Sequence, residues 1–491
     1  MIELMFEWWY ASRETPESGA LLDRAREAGR AEARAAAERL VAAGELLVLR
    51  CRESGEQADW SADAWEAVAA QLGAALGCSV AMGHSYLRYA MALRDRLPRV
   101  GEVFRAGLID YRAFQTVVFR TDLITDAEVL ARVDEQLAVV LSRRPSLTRG
   151  GLGAAVDRVV ALADADAVRR AKDALRDRYV DVLDHESGMA YVSGSVVATD
   201  GQALDRRLDE LAATVCAADP RTAAQRRADA LGVLAAGGAR LVCGCGGSDC
   251  PAVAPRAVKS NVVIHVIAEQ ASLQGTASTP AVSPGVEGLI PAEVLAELAA
   301  SARLVPLIPP TGAETRYSPS AALADFVRCR DLTCRAPGCD RPATDCDLDH
   351  TIPYADGGPT HASNLKALCR GHHLMKTFWG WRDRQLPDGT VIWTLPDGHT
   401  YVTTPGSALL FPSLCAPTGA IPATEADPPR DYCAERTAMM PKRRRARAQD
   451  RAARVATERR HNRDARLARA APPAKHPWPT THGFDEDPPP F

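Results

Sequence analysis

The sequence predicts a mostly α-helical protein: a long helical domain, then a small domain stabilised by zinc, then a basic tail without a core. Three observations carry that prediction. Apolar residues recur at helical spacing through roughly the first 180 residues. Five of the eleven histidines lie between His350 and His399, and five of the thirteen cysteines between Cys329 and Cys369. From about Pro412 onward Pro, Arg and Ala dominate and the apolar pattern disappears, the composition of a segment that stays disordered in isolation.

In the helical part, Leu130, Val133, Leu137 and Leu141 share one helix face, and the preceding Thr125-Asp126-Ala127-Glu128 has the pattern of a capping box. Trp65, Val68, Leu72 and Leu76 form a second stripe, and Tyr86, Ala90, Leu93 and Leu97 a third. Pro98 suits the first turn of a further helix and Gly107 its C-terminal stop. Such stripes are core positions, and antiparallel helices are the simple way to bury them. A hairpin is expected from Tyr179–Val182 and Met189–Val192, turning at Glu186-Ser187-Gly188. Helices follow near Leu204–Val215 and Arg221–Leu234. On the latter, Arg226 and Arg227 are either an ion-paired solvated face or contacts to phosphate. Residues Asn261–Ile267 read as a β-run and 271–290 as a linker. Strands are expected at Thr390–Trp393 and Thr400–Thr403, joined through Pro396-Asp397-Gly398. The chain therefore divides into a helical domain (1–240, with its small hairpin near 179–192), a β-run and linker (241–310), the metal-bearing domain (311–383), an appended β-hairpin (384–411) and a disordered basic tail (412–491).

With 491 residues, 46% of them hydrophobic and 25% charged, the chain is long enough for two or more globular domains. The net charge of −3 names no partner. Its distribution is more informative, because Lys442–Arg469 is strongly basic and either binds nucleic acid by counterion release or solubilises. No apolar run reaches the length of a membrane span, and the N-terminus lacks the pattern of a signal peptide. We expect no membrane partner and a cytoplasmic location, where thirteen cysteines serve as metal ligands or buried thiols.

Spacing singles out one cluster. Cys334-x4-Cys339, with Pro337-Gly338 at its turn, precedes Cys369-x2-His372, with Gly371 between. Two short Cys/His pairs can close a tetrahedral site for a structural Zn²⁺ ion, which would add folding energy to a small domain. Cys329 and Cys346 lie close by, and Cys329-x4-Cys334 has the same spacing; the Pro-Gly turn favours Cys334 with Cys339. Cys243-x-Cys245-x4-Cys250 is a weaker pattern, either free thiols in a glycine-rich loop or a second metal site with His265.

Between and beside the zinc pairs stand Asp349-His350, Gly357-Gly358, Asn364 and His373. In CRAPGCDRPATDCDLDHTIPYADGGPTHASNLKALCRGHHLMKT this order, Asp-His, then Asn, then His, resembles the HNH, or ββα-metal, nucleases. RYSPSAALADFVRCRDLTCRAPGC, LCRGHH and DPRTAAQRRADAL extend the likeness to the bacterial family in which domain of unknown function 222 precedes a C-terminal HNH module. That likeness covers most of residues 20–410.

The resemblance implies a ββα-metal fold and a metal-dependent endonuclease acting on DNA. His350 would be the general base, and a catalytic Mg²⁺ or Mn²⁺ ion would sit on Asp349 and His373. It further implies that Asn364 pins the loop that orients His350, and that the products carry 5′-phosphate and 3′-hydroxyl ends. Lys376, one turn beyond His373, is expected to contact phosphate. The zinc pairs depart from the commonest Cys-x2-Cys form, and His361 is expected to be exposed in its loop. A non-catalytic, zinc-stabilised nucleic-acid-binding protein is the alternative; the intact Asp349, His350, Asn364 and His373 speak against it.

Overall fold

In the computed structural model the described residues are 16–54, 59–143, 148–168, 178–185, 189–247, 250, 265–283, 289–419 and 439–470. They fall into two compact units, neither continuous in sequence. The first comprises Met1–Leu49, Tyr86–Arg170 and Arg443–Phe491; the second comprises Arg50–Ser85 and Ala171–Lys442. This differs from the contiguous division read from the sequence, because an early helical stretch belongs with the metal-bearing residues and the basic tail belongs with the first helices.

The first unit is helical: most of α1 (Pro16–Ser54), the end of α3 (Val80–Met91), α4 (Pro98–Arg105), α5 (Tyr111–Thr121), α6 (Ala127–Arg143) and α7 (Arg149–Ala163). The expected stripe Leu130, Val133, Leu137 and Leu141 is buried on α6. That helix is capped by Asp126, whose Oδ1 accepts from the N–H groups of Glu128 (2.9 Å) and Val129 (3.0 Å). Pro98 opens α4, and Gly107 at φ 76° follows its end. Leu97 offers no capping side chain, so buried Asp134 takes that role from α6, accepting from Arg99 N (2.8 Å) and Val100 N (2.9 Å). Phe104 and Phe114 stack at 4.9 Å in the core.

Part of the tail expected to lack structure is a helix, α14 (Arg447–Ala470). The reason is charge and packing. Arg451 pairs with Asp122 (2.6 Å), Arg459 with Asp164 (2.6 Å) and Arg466 with Asp166 (3.0 Å), while Val455 and Asn462 are buried. Residues 420–438 and 471–491, also in that tail, lie outside the described residues.

The second unit begins with α2 (Ala64–Leu76), capped by Asp63 and closed by Gly77 in the left-handed conformation. The hairpin of β1 (Tyr179–His185) and β2 (Met189–Ser195) pairs Val182 with Val192; its turn at 186–188 lies outside the described residues. Helices α8 (Ala198–Ala212) and α9 (Ala223–Ala235) follow. On α9, Arg227 pairs with Asp205 (2.5 Å) and with Asp209, so the ion-paired reading of that residue holds.

The segment 271–290, expected to be a linker, contains structure: α10 (Gln270–Leu273) and the strands β3 (Ala281–Val282) and β4 (Leu289–Ile290), followed by α11 (Ala292–Ser301). Ala281, Ile290 and Leu295 form a small core of their own, which composition alone does not reveal. Of the expected β-run at 261–267, residues 261–264 lie outside the described residues, and Ile267 bridges Val282.

The metal-bearing part consists of α12 (Ala321–Asp331), the antiparallel pair β5 (Asp347–His350) and β6 (Leu365–Leu368), and α13 (Arg370–Phe378). Both strands expected near 390 and 400 form, as β8 (Val391–Thr394) and β9 (Thr400–Thr403), and they gain a third, β7 (Arg382–Gln385). Ala67, Ala70 and Ala74 of α2 share a core with Cys334, Leu368, Met375, Phe378, Trp381 and Trp393. Among the described residues no single helix is long and apolar enough to cross a membrane.

Candidate metal centre and catalytic cluster

Cys334 and Cys339 lie on the turn after α12, Cys369 is the N-cap of α13, and His372 is in that helix's first turn. Their four ligand atoms all lie within 4.8 Å of one another. Cys339 Sγ is 3.9 Å from Cys369 Sγ, and His372 Nδ1 is 3.3 Å from Cys369 Sγ and 3.6 Å from Cys334 Sγ. Sulfurs on a tetrahedral zinc ion at about 2.3 Å stand about 3.8 Å apart, so this donor set fits the ion.

The turn at Pro337-Gly338 places Gly338 at φ 71°, where a Cβ would come within 2.6 Å of Gly73 O and 2.7 Å of Cys78 O. Only glycine allows the knuckle to seat on the end of α2. His372 Nε2 is buried without a hydrogen-bond partner among the described residues, and Trp381 lies 5.6 Å from the ring. Its polar capacity is therefore spent at Nδ1, toward the sulfurs. Cys329 and Cys346 stay outside the cluster. Burial pushes the Cys329 thiol up to about 11, and Cys346 donates to the Pro342 carbonyl (3.2 Å).

Adjacent His373 turns the other way. Its Nδ1 is 3.0 Å from Asp347 Oδ2, and its Nε2 is 3.5 Å from Asp349 Oδ1. The β5–β6 register sets Asp349 opposite Lys366. Lys366 Nζ reaches Asp349 Oδ2 (2.6 Å), Asp383 Oδ2 (2.5 Å) and Thr351 Oγ1 (3.0 Å).

Lys376, expected to contact phosphate, makes its contacts here within the cluster. Its ammonium contacts Asp349 Oδ2 (2.7 Å), Asp383 Oδ1 (3.1 Å), the His350 carbonyl (2.6 Å) and the Thr351 carbonyl (3.4 Å). Burial opposes ionisation of Asp349, but Lys366 and Lys376 outweigh it and hold the carboxyl well below the usual carboxylate range. Burial likewise opposes the charge on Lys366, and Asp349 and Asp383 outweigh it, raising its pKa.

The His350 ring, at the end of β5, makes contacts of its own. It stacks on Tyr317 at 5.4 Å, meets Tyr354 edge-on at 5.9 Å, and its Nε2 is 3.0 Å from Thr360 Oγ1. Burial lowers its pKa, with Asp349 acting against that shift. Asn364, fully buried, fixes the loop after His350: Ile352 N donates to its Oδ1 (2.8 Å), and its Nδ2 donates to Ile352 O (3.0 Å) and Pro359 O (2.9 Å). In that loop a Cβ on Gly358 would fall 2.0 Å from Ile352 O. His361, expected to be exposed, is buried instead, its Nδ1 accepting from Ser363 N (3.2 Å). Ala362 and Leu365 belong to the adjoining apolar core and draw the histidine in.

Sequence reasoning missed Lys366 and Asp383. The signal for Lys366 was a lysine inside the apolar run Leu365-Lys366-Ala367-Leu368; Asp383 sits in the charged stretch Arg382-Asp383-Arg384-Gln385, which carries no strand pattern.

Two strands and a helix carrying a Cys/His knuckle beside an Asp, His, Asn, His constellation define a nuclease-type module that binds metal and has nucleic acid as its substrate class. Residues 329–378 match the family described as HNH endonuclease, and residues 27–331 match the domain of unknown function DUF222. The chain belongs to the DUF222 family and carries a C-terminal HNH endonuclease domain. Its relatives include the uncharacterized proteins Rv3776 and Rv2100 of Mycobacterium tuberculosis. The first is 43% identical over 91% of this chain and 90% of the relative; the second is 41% identical over 93% and 90%. No solved structure matches.

Proposed function

We propose that this protein is a metal-dependent endonuclease that hydrolyses DNA phosphodiester bonds, with His350 as the base that activates water. One observation carries the reading. Asp349 from β5 and His373 from α13 meet at 3.5 Å beside the strand end that bears His350, with Asp349 Oδ2 tied to lysines and Oδ1 turned to the imidazole. Two ligands of one hard cation at about 2.1 Å stand about 3 Å apart, so the pair fits such an ion. A Mg²⁺ or Mn²⁺ ion held by Asp349 and His373 would neutralise charge on the phosphate and on the departing 3′-oxygen. Zn²⁺ on Cys334, Cys339, Cys369 and His372 would serve the fold.

The rest is the work of the chain. Thr360 has one hydroxyl proton, which it directs at the Tyr317 carbonyl (3.3 Å), so Thr360 Oγ1 accepts from His350 Nε2–H. That tautomer leaves the Nδ1 lone pair to take the proton from water. Burial keeps the imidazole neutral near pH 7, the form a base needs. Tyr317 fixes the ring plane by stacking. Asn364 is a positioning residue, holding the loop through which Thr360 is placed.

A second reading, a zinc-stabilised nucleic-acid-binding protein without catalysis, is favoured by the two lysines on Asp349 Oδ2. Plasmid nicking with Mg²⁺ or Mn²⁺ separates the two. The endonuclease reading expects wild type to convert supercoiled DNA to open circles and His350→Ala to lose about 10²–10⁴-fold in rate. Wild type that binds DNA and leaves it intact with either ion would establish the second reading.

A further inference from the structure

A second cysteine cluster lies within the DUF222-matching region, apart from the HNH residues. Cys216 follows α8, and Cys243, Cys245 and Cys250 occupy the loop after α9. The four sulfurs all lie within 4.8 Å of one another, with Cys216 and Cys243 at 3.5 Å. The fourth member is Cys216, not His265, the partner that sequence proximity offered. We propose that Cys216, Cys243, Cys245 and Cys250 form a tetrathiolate site for a second structural Zn²⁺ ion.

Three arguments support the assignment. The sulfurs are too far apart to be bonded as disulfides, yet they sit at the separation that a tetrahedral thiolate centre requires, about 3.8 Å.

The loop that carries the ligands is held from outside. Gly244 N donates to Asp219 Oδ2 (2.8 Å), and Arg221 grips Asp219 (2.8 Å), Asp229 (2.7 Å) and the Val242 carbonyl (2.6 Å). Gly246 at φ 66° makes the bend between Cys245 and Cys250. The region also has little else to hold it. Among the described residues from 198 to 250, the buried apolar side chains are Leu211, Ala212, Ala230 and Leu241. A metal ion tying the end of α8 to the loop after α9 supplies what so small a core cannot.

The test uses the full chain, expressed with zinc and purified under reducing conditions, with bound metal quantified by plasma mass spectrometry. We expect about two zinc ions per chain. The pair of substitutions Cys216→Ser and Cys243→Ser should lower this to about one, as should Cys334→Ser with Cys369→Ser. Wild type guards against a variant that fails to fold. Alkylation followed by peptide mass spectrometry should find Cys216, Cys243, Cys245 and Cys250 protected until a chelator is added. Wild type with a single zinc that departs with Cys369, or rapid alkylation of these four before chelation, would overturn the proposal. Iron in place of zinc would overturn the choice of metal. Neither result bears on plasmid nicking, so this proposal and the endonuclease reading fail separately.

Discussion

Replacing Lys366 by methionine removes a fully buried ammonium and leaves the carboxylates of Asp349 and Asp383 facing each other across the space it filled. At 2.6 and 2.5 Å, each contact has a gross attraction of roughly 6 kcal/mol at an effective dielectric of 20. Desolvation offsets most of that, and breaking such a buried pair costs about 3–5 kcal/mol net. For a unit of this size the melting temperature should fall by roughly 5–8 °C. Urea unfolding and scanning fluorimetry of the zinc-loaded protein would measure the loss, with zinc content as the control for an intact knuckle. Lys366→Met with Asp383→Asn leaves Asp349 and Lys376 as a balanced pair and should recover most of the stability. A loss under about 1 kcal/mol, or no recovery in the double variant, would refute the account of the quartet as coupled buried charges.

Other outcomes follow from the same geometry. Thr360→Val removes the acceptor that sets the His350 tautomer, and nicking should slow about 10–100-fold while DNA binding, measured by filter retention, is unchanged. Asn364→Ala strips three hydrogen bonds from the loop after His350 and should cost about 1–3 kcal/mol in urea unfolding as well as most of the nicking rate. Asp134→Ala leaves the first N–H groups of α4 without their acceptor, for a loss of about 1–3 kcal/mol in the first unit by chemical denaturation. The Asp122 carboxyl, which burial raises but Arg451 and Arg454 lower further, sits net below its ordinary value. The contribution of the Asp122 pairs to holding α14 is therefore fully present above about pH 4 and should fade as pH drops through the folded-state value; an Arg451→Ala variant should lose that part of the acid dependence.

The helices and the knuckle were readable because each rests on local pattern. The Leu130 to Leu141 stripe repeats at helical spacing, and Cys334, Cys339, Cys369 and His372 come in short pairs beside turn residues. What escaped depends on pairing between distant segments. Lys366 is buried because register sets it against Asp349, and β7 forms because its Asp383 meets two ammonium groups; neither fact is local. The acceptors around Lys376 were not legible either, since most come from Asp349, His350 and Thr351, 25 to 27 positions earlier. Tail helix α14 looked unstructured because its acidic partners lie some three hundred positions earlier in the chain. In the same way, the alanines of α2 gave no hint that their apolar partners would come from the HNH residues.

That last arrangement has a consequence for how the protein is made. Helix α2 leaves the ribosome early, but the aromatic and sulfur-bearing surface that covers Ala67, Ala70 and Ala74 runs to Trp393. Synthesis at about 5–20 residues per second leaves that face without its cover for roughly 15–65 seconds. The nuclease module thus cannot mature as a separate C-terminal bead: its completion waits on retrieving a segment made long before, and slow, metal-dependent acquisition of structure is the expected behaviour.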